Sequence, residues 1–159
     1  MTVSAFTPYM LAFLIGGIAG LRSMTAPAVV SWVARLGWLP LRGTWLAFLG
    51  YAWTPWILTL FALGEYVADQ LPSTPSRTAP SGFGARIVTG AVSGAAIGTA
   101  GGTLVGGMVA GIAGAIVGTL AGHAFRVRLA AAFGRDRPAA FIEDAIALGG
   151  ALAIGMALR

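Results

Sequence analysis

Lysine and cysteine are both missing from this chain, and acidic residues are almost missing. Without cysteine there is no disulfide, no thiolate metal ligand and no thiol nucleophile. Without lysine there is no Schiff-base chemistry and no phosphate-binding lysine of a P-loop. All ten basic residues are therefore arginine, against five acids in 159 residues. Charged residues make up 9% of the sequence, where an average soluble domain carries about 25%. No G-x-S-x-G elbow, H-E-x-x-H pair or Walker loop occurs, so no enzyme template fits.

What is present is apolar. Hydrophobic residues make up 57% of the chain and the mean hydropathy is +0.84, the range of a polytopic membrane protein. One domain over 1–159 is expected, a bundle of transmembrane helices, each needing about 20 residues to cross the bilayer. The net charge of +5 does not imply nucleic-acid binding, because the arginines are scattered at the ends of apolar stretches, where they can snorkel to headgroups. The start of the chain lacks a positively charged leader region, so a cleaved signal peptide is not expected.

Five apolar blocks are expected to span. Val3 to Leu21 is the first, and Thr44 to Gly64, with Trp45, Tyr51, Trp53 and Trp56 near its front, is the second. Between Arg86 and His123 lie 36 residues without a titratable side chain. A single helix of that length would run about 54 Å, so it must fold back. Gly101-Gly102-Thr103 is the expected turn, giving spans near Ile87–Ala100 and Thr103–Gly122. Pro138 to Leu158 is the fifth block. Ser23 to Pro40 is too broken to span; a short re-entrant or interfacial helix from Ala26 to Leu36, capped by Thr25 and ended by Gly37, is expected.

Gly90, Gly94, Gly98, Gly102 and Gly106 recur every four residues, as do Gly107 and Gly111, and Gly114, Gly118 and Gly122. Small residues four apart share a helix face and let backbones approach. This glycine-zipper hairpin is expected to pack within the chain or between copies of a homo-oligomer. The dense Arg126–Arg137 segment places its own side in the cytoplasm, and with five spans the N-terminus lies on that side too. The near balance of arginines also leaves dual insertion as an antiparallel dimer open. The expected location is the bacterial inner membrane, multi-pass, with lipid as partner and no nucleic acid.

The ionisable groups are the functional candidates, because charge at a membrane edge is costly. Glu65 and Asp69 lie four residues apart on one helix face, at a C-terminus where acids oppose the helix dipole. Glu143 and Asp144 sit inside the fifth block. Arg22 closes the first block ahead of hydroxyl side chains and a helix start, an arrangement suited to an anion; a snorkelling arginine is the plainer alternative. Arg77 follows the Glu65–Asp69 pair. His123 reads as interfacial. Glu65, Asp69 and Glu143 are candidate oxygen ligands for a divalent cation, a proton relay, or partners of Arg22 and Arg77; no other cofactor is implied.

The segments Gly20-Leu21-Arg22-Ser23-Met24-Thr25-Ala26-Pro27, Glu65 to Pro72 through Pro75-Ser76-Arg77-Thr78, and Glu143-Asp144-Ala145-Ile146-Ala147 together resemble a family of small bacterial integral membrane proteins catalogued as a domain of unknown function. The resemblance covers essentially the whole chain and implies one compact membrane unit, without a substrate or reaction. Where relatives of that family carry lysine after the aspartate, this chain has Gln70.

Three functions are open from sequence alone. The leading expectation is a permease or channel-like transporter of an ion or small polar solute. A membrane-embedded magnesium-dependent enzyme on a lipid phosphate and a structural or assembly protein are the alternatives.

Overall fold

The computed structural model describes residues 6–69 and 79–159. Among them every regular element is helical: α1 (Thr7–Leu21), α2 (Thr25–Arg35), a 3-10 helix (Trp45–Gly50), α3 (Thr54–Ala68), α4 (Pro80–Ala100), α5 (Leu104–Phe133) and α6 (Asp136–Ala157).

Helix α1 stops where Arg22 turns extended, its amide still donating to the Ile18 carbonyl at 2.8 Å. The chain reverses over Ser23 and Met24 into α2. Thr25 is not the cap of α2, as expected, but its first residue; Met24 holds the cap position and offers no side-chain hydrogen bond there. At the far end, Gly37 at φ +81° lets the Trp38 amide reach the Val33 carbonyl and its own amide reach Ala34, both at 3.1 Å. A residue with a Cβ disfavours that left-handed backbone, so glycine sets this end.

The expected second span, Thr44 to Gly64, is not one helix. Thr44 caps the 3-10 helix by accepting from the Leu46 amide, and Tyr51 then turns extended. Helix α3 restarts with Pro55 in its first turn, where a residue lacking N–H fits. Ser31 of α2 donates to the Leu49 carbonyl, and Trp32 donates to Thr59 at 3.0 Å while its ring meets Trp56 edge-on at 4.9 Å. Helix α2, the 3-10 helix and α3 thus form one folded-back unit beside the other helices.

Those other helices pack by close backbone approach. The α4–α5 hairpin turns at Gly101–Thr103 as expected, with the Thr103 amide on the Gly98 carbonyl at 2.8 Å. A Cβ placed on Gly94 would lie 2.8 Å from the Gly111 Cα, one on Gly20 would lie 2.5 Å from the Thr119 nitrogen, and one on Gly118 would lie 2.9 Å from the Gly17 Cα. Helices α1, α4 and α5 are therefore in near contact along glycine faces, and these faces are used inside the chain. Helix α6 closes the group through Ala147, Ala151 and Ile154.

Helix α1 runs parallel to α5 and antiparallel to α4 and α6, as the pairs Gly20–Ala115, Pro8–Gly101 and Ile18–Gly150 require. Thr7, Trp38, Gly101 and Leu158 line one cavity, so the start of α1, the end of α2, the α4–α5 turn and the end of α6 share one end of the bundle. The Arg126–Asp136 segment lies at the other end. The expectation that the N-terminus shares a side with Arg126–Arg137 is therefore corrected. It treated residues 22–43 as one loop on one side, whereas α2 carries the chain back from Arg22 to Arg35.

Helices α5 and α6 are long and apolar enough to cross a membrane, and α1 is a shorter apolar helix. Only 28% and 39% of their most apolar stretches are buried, unlike the core helices of a water-soluble fold. Leu60, Phe61, Val105, Val109, Phe141 and Leu152 are all more than half exposed. Apolar surface of this extent is consistent with a membrane location.

Candidate functional site: a buried ion-pair cluster at one end of the bundle

All five acids of the chain meet at the end where α1 finishes. Arg22 is completely buried there. Its guanidinium donates through Nη1 to Asp69, and through Nε at 2.7 Å and Nη2 to Asp144. The Cζ lies 5.5 Å from the Tyr66 ring centroid. One side chain at the α1 terminus thus ties together α3 and α6, and the fork of donors makes this possible where a single ammonium would not.

Arg126 of α5 repeats the arrangement. It donates to Asp69 at 3.0 Å and to both oxygens of Asp136 at 2.9 and 2.6 Å, and stands 3.7 Å from Glu143. Asp69 is shared by the two arginines. Glu143 is itself completely buried, and Arg86 of α4 is nearly so.

Glu65 has a different role. One of its oxygens accepts from the Ser23 amide at 2.8 Å and the Ser23 hydroxyl at 2.9 Å, and the other accepts from the Met24 amide at 2.8 Å. It supplies from α3 the cap that α2 lacks locally, and its charge faces the positive end of the α2 dipole. Within α3 alone Glu65 is opposed by its own helix dipole; the start of α2, placed against it, compensates. One residue along in each chain segment, Tyr66 and Thr25 share a hydrogen bond at 2.9 Å. Glu65→Ala is expected to cost about 1–2 kcal/mol and to speed hydrogen exchange at Ser23 and Met24 selectively. Unchanged exchange there would show that the cap contributes nothing.

Of the candidates, the structure brings Arg22, Asp69 and Asp144 into direct contact, joins Glu143 through Arg126, and seats Glu65 beside them. Arg77 lies outside the described residues. His123 is exposed. Among the described residues no three carboxylate, histidine or cysteine side chains stand close enough to hold a metal ion. The set of Glu65, Asp69 and Glu143 expected for a divalent cation is therefore not assembled. Arginines occupy the space between Asp69 and Glu143, and amides take up Glu65.

Arg126 and Asp136 were missed as partners, although both were visible. They lie ten residues apart, and only the α5–α6 turn at Gly134, with φ +65°, brings them face to face.

No family model matches the chain, and no solved structure is significantly similar to it. Among curated proteins, part of the chain is similar to protoheme IX farnesyltransferase 1 of Mesorhizobium japonicum, 34% identical over 71 residues, or 43% of this chain and 22% of that protein. It is also similar to the protoheme IX farnesyltransferase of Korarchaeum cryptofilum, 29% identical over 68 residues, 41% of this chain and 22% of the relative. That of Maricaulis maris is 35% identical over 65 residues, 39% and 18% of the two chains. The matched stretch spans about a fifth of the length of these relatives.

Proposed function

We propose that this is a small multi-pass protein of a bacterial inner membrane that passes an ion or small polar solute. On this reading α1, α4, α5 and α6 cross the bilayer, α2 and the 3-10 helix enter it part way, and the Arg22–Arg126 cluster closes one mouth of the pathway. The observation that carries this reading is the completely buried Arg22, held between acids from α3 and α6 where a helix breaks. A buried ion pair is a poor source of net stability, because desolvation consumes most of the Coulombic gain. It is well suited to a closure with two states, since loss of one partner leaves an uncompensated charge. Broken helices that end inside a bundle beside ionisable groups are also a mark of transport proteins. Six described arginines stand at the cluster end (Arg22, Arg86, Arg126, Arg128, Arg135 and Arg137) and three at the other (Arg35, Arg42 and Arg159), a bias that supports a cytoplasmic cluster end on this reading.

Proteoliposomes holding the purified protein test the reading. Flux of protons, potassium, magnesium or chloride above that of empty vesicles is expected, and Arg126→Gln, which takes one charged partner from each of Asp136 and Asp69, is expected to raise it several-fold. Absence of flux for every solute, with the protein folded, would end this reading.

The likeness to protoheme IX farnesyltransferases supports a second reading, a membrane enzyme acting on a prenyl phosphate. It would need Asp69 and its neighbours to exchange their arginines for Mg²⁺. Metal-dependent turnover of a polyprenyl diphosphate, lost in Asp69→Asn, is its signature.

A further inference from the structure

The end of the bundle opposite the cluster has the reverse electrostatic problem. All five acids lie at the cluster end, so Arg35 and Arg42 have no side-chain carboxylate near them. Helix α2 alone, with 11 residues, separates Arg35 from the Glu65 cap by about 16 Å, well beyond a Debye length of about 8 Å. The carbonyls ending α2 attract Arg35, but they carry only about half a charge.

Both arginines line one cavity of about 650 Å³, between the end of α2 and the 3-10 helix. Ala34, Leu39, Gly50 and Tyr51 supply an apolar floor and wall. Tyr51 of the lining is 62% exposed, and Trp45, which opens the 3-10 helix, and Trp53, next in sequence to the lining residue Ala52, are exposed at 59% and 75%; such amphipathic aromatics settle at headgroup depth. Helix α3 begins beside the cavity and runs away from it along the bundle, with Trp56, Ile57, Leu60 and Phe61 exposed on its outer surface.

We propose that this cavity is a binding site for an anionic glycerophospholipid. Its phosphate sits between Arg35 and Arg42, its glycerol backbone lies at the aromatic rim, and its acyl chains lie along the outer surface of α3. Two unopposed guanidinium groups select for the net negative headgroup, because a zwitterionic lipid brings its own cation to the same place. An apolar ramp leading away from the cavity selects a lipid over a free anion.

Native mass spectrometry of the detergent-purified protein tests this, with phosphatidylglycerol and phosphatidylcholine of identical chains titrated in parallel. Phosphatidylglycerol is expected to bind preferentially, and Arg35→Gln and Arg42→Gln are each expected to weaken it about fivefold. The double variant should bind the two lipids alike, at an unchanged melting temperature. Arg128→Gln, exposed at the cluster end, should leave the preference intact. Equal binding of both lipids to the wild type, or an equal loss in Arg128→Gln, would overturn the proposal. So would full displacement of phosphatidylglycerol by millimolar inorganic phosphate, which would make the site one for a free anion.

Discussion

Arg22→Ala is expected to destabilise the folded protein by about 3–5 kcal/mol, lowering its melting temperature in detergent by roughly 10 °C or more. The substitution removes donors to Asp69 and Asp144 at once. Asp144 loses the arginine that reaches it, and Asp69 loses one of the arginines that it shares. Both carboxylates are mostly shielded from solvent, so the charge of each is less compensated than in the wild type. Arg22→Lys is expected to recover less than half of the loss, since an ammonium cannot reach two acids on different helices as the guanidinium does. Asp144→Asn, which keeps the shape and an acceptor, should cost less than Arg22→Ala. Thermal unfolding followed by circular dichroism gives the order, and an Arg22→Ala protein as stable as wild type would mean that the cluster holds nothing together.

Gly111→Ala is the second large effect, and it acts far from any charge. An added Cβ would drive into the Gly90 carbonyl and lie 3.0 Å from the Gly90 carbonyl carbon and the Gly94 Cα. These are backbone atoms, so no rotamer change relieves the clash and α4 and α5 must separate. Overpacking of a well-packed core costs about 1–3 kcal/mol, and the upper end or beyond is expected here because two helices must move. Gly149 provides the contrast. It lies in α6, where an added Cβ would meet nothing within 4 Å, and Gly149→Ala should stabilise by up to about 1 kcal/mol through helix propensity. Equal effects of the two substitutions would show that the glycine faces do not set the α4–α5 spacing.

These two substitutions also mark what the sequence makes legible. The α4–α5 turn is readable because an uncharged run too long for one crossing has to fold back, and Gly101-Gly102 is where it can. The break after the 3-10 helix is not marked by any charge, since Tyr51, Ala52 and Trp53 are uncharged like their neighbours and the aromatics read as an interfacial belt; Gly50 and Pro55 are further local signs. The fold-back of α2 follows from that missed geometry, and it moves Arg35 and Arg42 away from Arg22. Within the cluster, scarcity of charge singled out Glu65, Asp69, Glu143, Asp144 and Arg22. Their pairing was hidden, because Arg22 and Asp144 are 122 residues apart and meet only when α1 and α6 pack antiparallel. The role of Glu65 was hidden for a similar reason: the helix start that it caps belongs to another element.

Solute flux through proteoliposomes, compared between wild type and Arg126→Gln, tests most directly whether the cluster is a closed mouth. Arg126 is partly accessible and joins Asp69, Asp136 and Glu143, so its neutralisation should open the cluster while Arg22 keeps the helices assembled. A several-fold rise in flux, with the melting temperature lowered but the protein still folded, is the predicted result. Vesicles that stay as tight as empty ones with either protein would contradict it, leaving the cluster as a fixed tie between helix ends.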